Sequence, residues 1–304
     1  MPQAKVTKEW LIERVLLGCG RGHGADYKPW LTLGRGKFIP KSRHGWYIDP
    51  ETRVQRDIFS DNENDGGIVG SWLGAVDRRV QFPCFPFRHP HPSEDAPGRE
   101  VTPLPWSEGT LALALAANLR HPVFVGTHIY YVLTFDALFT LPPRNRPRLA
   151  ALAGKNYNQT RSDDPDWNVV ENLELQRRYA KSIDAFFCAW DQLVCPAELI
   201  TNLRSIYSSA ALPASLKCSA FYPEFREFAE KRVDDWPVNR LLQAFAKESQ
   251  LKVPEVTFLW DHLVWTQDIP VDLTKPVLRT QIAPLWDGRW MKEMRESMFG
   301  CKEF

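Results

Sequence analysis

The chain has 304 residues, 44% of them hydrophobic and 25% charged, with a formal net charge of +1. That length allows two domains, each burying its own core, and the near-neutral charge leaves any nucleic-acid contact to local basic patches. Six cysteines without a CxxC pair exclude zinc-ribbon spacing, no window reaches membrane-spanning length, and MPQAKVTKEW has no secretory core; a bacterial cytoplasmic protein without a membrane partner is expected.

In chain order, residues 7–17 are predicted helical, with Thr7 as cap and Trp10, Leu11, Val15 and Leu17 as the apolar face. The next stretch is rich in glycine and in basic residues, and it matches neither a Walker loop nor a dinucleotide fingerprint. Between Arg21 and Arg56 it holds Arg21, Lys28, Arg35, Lys37, Lys41, Arg43 and Arg53, interleaved with Tyr27, Trp30, Trp46 and Tyr47. Cations and flat rings on pliable backbone suit a phosphate backbone, and Arg21, Lys28, Arg35, Lys37, Lys41 and Arg43 are the candidate DNA contacts. A solvated loop packed by its own aromatics is the plain alternative.

Ser60 and Glu63 have capping-box spacing ahead of Ile68, Val69, Trp72, Leu73 and Val76 at helical period. Gly66, Gly67 and Gly70 in this helix cost about 1 kcal/mol each against alanine, and imply either close packing or a loosened first turn. Phe82 to Phe87 reads as an extended edge segment bounded by prolines. Residues 88–107 form a proline-rich excursion in which His89 and His91 read as polar loop residues. Residues 109–119 are predicted helical, and 123–125, 130–139 and 149–153 are strand candidates. A helix capped by Asp166 is expected to run to Ser182, with Glu174 and Arg178 one turn apart, followed by a buried strand in AFFCAWDQLV. Strands, a long helix and a further strand make an α/β core.

Chemistry enters through three residues. Asp136 lies inside the apolar run YYVLTFDALF, and Lys155 ends the next run, RLAALAGK, 19 residues later; Glu63 opens the earlier helix. An acid and an ammonium brought to one sheet edge by successive strands suit divalent-metal phosphodiester hydrolysis, which needs hard oxygen ligands and a nearby cation. Each residue also has an ordinary role open to it: Glu63 as a cap, Asp136 as a buried hydrogen-bonded acid, Lys155 as a strand-end lysine.

GADYKPWL, the SDNE segment, the VQFP run, TFDALF, the lysine ending RLAALAGK, and ENLELQRRYA before the strand with Trp190 occur in the order found in TnsA. The chain resembles that family over roughly residues 18 to 200, and more loosely beyond. TnsA is the endonuclease subunit of heteromeric cut-and-paste transposases. The resemblance implies a restriction-endonuclease-like core and an enzyme dependent on Mg2+, with Mn2+ able to substitute. It also implies cutting of the non-transferred strand (5′ end) at transposon ends in double-stranded DNA. The partners implied are a DDE-type transposase and an AAA+ regulatory ATPase. By position, the family's catalytic residues fall on Glu63, Asp136 and Lys155, with Glu63 and Asp136 as metal ligands. The family usually has glutamine two residues before the lysine, where this chain has Ala153. That departure implies a weakened metal site, and as the alternative a catalytically weakened adaptor bridging transposase and ATPase.

A boundary is expected near residue 200, giving a nuclease domain over 1–200 and a partner-binding domain over 201–304. The latter is expected to be mainly helical and winged-helix-like, with helices at 199–207, around Val238 to Phe245 and after Pro254. A basic amphipathic tail, RWMKEMRESMF, serves either to close that domain or to meet a partner.

Overall fold

The computed structural model describes residues 6–34, 44–94, 96, 103–142, 148–155, 157–160, 163–191, 194–286 and 288–303. The chain divides into two compact units: Met1–Tyr47, Gln55–Val194 and Lys292–Phe304 form the first, and Ile48–Val54 with Cys195–Met291 the second. Both helices and strands are present, so the fold is mixed α/β. No helix among the described residues is long and apolar enough to cross a membrane.

The first unit is built on a four-stranded sheet in the order β3 (Asp77–Cys84), β4 (Leu133–Leu141), β5 (Arg148–Gly154), β6 (Ala185–Trp190). The β3–β4 and β4–β5 pairs are antiparallel, and β5–β6 is parallel. Parallel neighbours need a crossover, and α5 (Trp167–Ser182) supplies it, its first turn capped by Asp166, which accepts from the Asn168 amide at 3.0 Å. β3 is an edge strand, as Pro83 within it favours. β1 (Gly45–Ile48) and β2 (Gln55–Ile58) form a separate two-stranded sheet. The strand expected at 123–125 is instead an isolated bridge from Val123 to Tyr130.

Two helices cover the sheet. On one face Leu175, Tyr179, Ala180 and Ile183 of α5 close a core with Phe135, Leu138, Leu149 and Ala151. On the other lies α2 (Asp61–Trp72), nearly all of it buried, including Glu63 and Asp65. The glycines explain that proximity. A Cβ on Gly70 would stand 2.3 Å from the Phe139 ring, and one on Gly66 would stand 3.0 Å from both Leu152 and Trp190. Close packing, not a loosened turn, is their purpose. α1 (Lys8–Leu16) is capped by Thr7 as expected, but Val15 and Leu17 are exposed, and only Trp10 and Leu11 pack inward.

The second unit is helical. Within it, α8 (Phe221–Glu230), α9 (Val238–Ser249) and α10 (Val253–Trp265) bury Phe225, Phe228, Leu241, Leu242, Phe245, Leu259 and Leu263. In place of a β-wing, its described residues hold the single bridge Val271–Leu285. The tail helix α11 (Arg289–Phe299) does not close this unit. Its residues from Lys292 onward belong to the first, where Phe299 packs edge-on against Phe139 and Arg295 Nε donates to the Leu73 carbonyl at 2.8 Å.

Gly70→Ala is expected to destabilise the protein by about 1–3 kcal/mol through overpacking against Phe139, despite the roughly 1 kcal/mol that alanine gains in helix propensity. Denaturant unfolding measures this; an unchanged midpoint would mean that α2 stands off the sheet.

Candidate active site

The start of α2 fixes the first acid. Ser60 is extended, and its Oγ accepts from the Glu63 amide at 3.2 Å, so the cap half of the predicted box forms. The Glu63 carboxylate does not complete a structural box. It points toward the sheet, where one oxygen accepts from Gln81 Nε2 at 2.9 Å, and the side chain is 6% exposed.

Asp136 and Lys155 come to the same corner from β4 and from the end of β5. Asp136 Oδ2 accepts from the Gly154 amide at 2.6 Å. Lys155 continues β5 through its amide, which donates to Trp190 O at 2.9 Å, and its Nζ turns back to the Gly154 carbonyl at 3.0 Å. It also lines a cleft of about 180 Å³ with Thr160, Val170 and Leu173.

The electrostatics bind the three together. Burial raises the Glu63 pKa well above its ordinary value, and the Asp136 charge raises it further; bonds from Gln81 and the Phe59 backbone, and the Lys155 charge, oppose that rise. Burial likewise raises Asp136, opposed first by Lys155, then by the Gly154 amide and Gln81. Two acids are thus held in a dry place with one ammonium nearby. A niche of about 10 Å³ lies between them, bordered by Tyr47, Asp57 and Arg78. It is at the lower limit for a single water.

Two further residues complete the corner, and neither was anticipated. Gln81 stands across β3 from Asp136, between the pairs Val80–Ala137 and Phe82–Phe135. Asn62 is buried, its Nδ2 3.5 Å from Trp190 O, and its Oδ1 has no hydrogen-bond partner among the described residues. A glutamine within an apolar strand carries no sequence signal without the register. Asn62, by contrast, sits beside Glu63 in the capping segment, where helix period alone could have placed it at the same helix end.

By the pleat, Ala153 shares its face with Lys155, and Gly154 takes the other. Leu152 faces α2 through Gly66, and Ala151 faces the α5 core. Successive side chains alternate, so position 153 points toward α5, where Ala153 is fully buried. The position directed at the acids is 154. A Cβ there would lie 3.3 Å from Asp136 Oδ2 and from Asn62 Nδ2. Glycine at 154 keeps that space open.

The basic segment is divided. Arg35, Lys37, Lys41 and Arg43 lie outside the described residues. Arg21 and Lys28 are exposed, with Lys28 Nζ donating to the Leu17 carbonyl at 3.0 Å. Tyr27 and Trp30 are core residues, 2% and 1% exposed, and Arg56 is spent on the carbonyls of Tyr27 and Gly24. Trp46 remains outward at 63% exposure. His89 and His91 are engaged with the Tyr179 hydroxyl and the Ile183 carbonyl.

No protein-family model matches the chain. Over 234 residues it is 25% identical to the Transposon Tn7 transposition protein TnsA of Escherichia coli, covering 75% of this chain and 73% of that protein. The chain is TnsA-like.

The acid pair makes a stability prediction for the TnsA-like chain without metal. A carboxyl whose pKa rises on folding costs stability when ionised; the cost is absent below the ordinary carboxylate value and grows as pH rises toward the folded pKa. Glu63→Gln is therefore expected to raise the melting temperature at pH 8 by several degrees and at pH 4 by little. Thermal denaturation at both pH values checks this, and equal shifts at the two would contradict it.

Proposed function

We propose that this chain is the nuclease subunit of a heteromeric transposase, a metal-dependent endonuclease that cuts the non-transferred strand at transposon ends. The observation that carries the reading is the convergence of Glu63 and Asp136 in a dry corner with the Lys155 charge upon them. Similarity to a transposition protein supplies the biological setting. We read the β3–β6 sheet, flanked by α2 and α5, as a restriction-endonuclease-like core.

The residues present fit a magnesium ion, with Mn2+ as a substitute. Among the described residues no three of His, Cys, Asp and Glu gather, but magnesium typically takes one or two carboxylates, water and substrate phosphate oxygens. Two buried acids face one niche, and Asn62 Oδ1, which has no hydrogen-bond partner among the described residues, can accept from a water of the ion's hydration shell. When bound, such an ion lowers the pKa of water and offsets charge on the scissile phosphate.

The chain's own residues do the rest. Glu63 and Asp136 offer oxygen ligands from a helix and a strand that packing holds rigid. The Gly154 amide fixes one Asp136 oxygen at 2.6 Å. Lys155 stabilises charge developing on the phosphoryl oxygens, or orients the attacking water. DNA approaches over the basic segment that contains Arg21, Lys28, Arg35, Lys37, Lys41 and Arg43. The helical second unit serves as the docking domain for the DDE-type transposase and the AAA+ ATPase. The alternative reading is a catalytically weakened adaptor that bridges transposase and ATPase, with Ala153 where a glutamine is expected.

Strand-specific cleavage by the chain mixed with its transposase, titrated with magnesium, tests the reading. Asp136→Ala is expected to abolish 5′-strand cleavage while leaving co-purification intact, and Lys155→Ala to slow it by about 10²–10³-fold. Cleavage that survives Asp136→Ala would remove the mechanism. In the same complex, Lys37→Glu with Lys41→Glu is expected to weaken binding to unrelated DNA sequences and to flatten its salt dependence; an unchanged slope would place DNA elsewhere.

A further inference from the structure

Gln81 is the least expected residue in the first unit. It is 3% exposed in the middle of edge strand β3, with a left-handed φ of 49° at a residue that is not glycine. Such a conformation persists only where its surroundings over-determine it, and it gathers at functional sites. The surroundings here are specific. The Gln81 carbonyl accepts from the Trp30 amide at 3.2 Å, which anchors the turned backbone. Its side-chain Oε1 accepts from the Thr134 hydroxyl at 3.2 Å, and its Nε2 donates to Glu63 Oε1 at 2.9 Å. The Thr134 carbonyl in turn accepts from Gln176 Nε2 of α5 at 2.6 Å. A hydrogen-bonded chain therefore runs from α5 through two strands to the acid on α2.

We infer that Gln81 is a positioning residue for the divalent-metal site: its amide, oriented by Thr134, holds the Glu63 carboxylate toward Asp136. This inference rests on the metal-site reading above. An amide suits the task because it donates to a carboxylate without adding charge, so it fixes geometry and leaves the pair's demand for a cation intact. Partners that orient metal ligands in this way typically account for 10–100-fold in affinity.

The test uses the full chain without DNA and measures Mn2+ binding from the electron paramagnetic resonance signal of the free ion. Gln81→Met keeps length and volume but removes both hydrogen bonds, and Thr134→Val removes the group that orients the amide. Both are expected to fold, as judged by circular dichroism. Gln81→Met should weaken Mn2+ binding at least about tenfold, Thr134→Val less but in the same direction, and Gln81→Ala no less than Gln81→Met. The magnesium concentration for half-maximal cleavage by the transposase complex should rise in the same order. Asp136→Ala separates the two claims. If it abolishes Mn2+ binding while Gln81→Met binds like the parent, Gln81 only fills space and the inference is overturned with the site intact. If the parent does not bind Mn2+, or Asp136→Ala binds as the parent does, the metal-site reading falls and the inference with it.

Discussion

Two carboxylates forced to share a poorly hydrated corner are the constraint on which the first unit turns. Burial disfavours the charge on Glu63 and Asp136, and the Asp136 charge makes Glu63 harder still to ionise. The structure gives up stability to keep them there and surrounds them with partial remedies: the Gln81 amide, the Gly154 and Phe59 amides, and the Lys155 ammonium. None of these neutralises the pair. A cation would, and the proposed chemistry needs one.

That corner exists because α2 lies directly on the sheet. Alanine at Gly70 or Gly66 would lift the helix from Phe139, Leu152 and Trp190, and Glu63 would withdraw from Asp136. Glycines that look like faults in a helix are thus the means by which a helical acid reaches a strand acid. On the opposite face α5 uses ordinary aliphatic and aromatic packing, so the two sides of one sheet are specialised differently. The tail from Lys292 onward adds Phe299 to the α2 side through Phe139.

What the sequence made legible follows from local rules. Thr7, Ser60 and Asp166 mark helix starts because a side-chain oxygen there meets an orphan amide, and all three accept as expected. The acid of TFDALF and the lysine closing RLAALAGK lie on adjacent strands, so a short return suffices to bring them together. What was illegible depends on register and facing. Nothing local distinguishes Ala153 from Gly154, yet a Cβ at 154 would stand 3.3 Å from Asp136 and Asn62. Tyr27 and Trp30 look like surface aromatics in a glycine-rich loop. The positive φ of Gly20, Gly22 and Gly24 folds that loop back so both rings are buried. Gln81 needed its opposite strand before its place beside Asp136 had meaning.

The central claim is that Glu63 and Asp136 together hold a divalent cation. Crystals of the full chain soaked in Mn2+ and measured at the manganese absorption edge test it most directly. The account predicts an anomalous peak between the two carboxylates in the parent, lost in Asp136→Asn with α2 still seated on the sheet. A map with no peak there, or with manganese bound only at other residues, would contradict it.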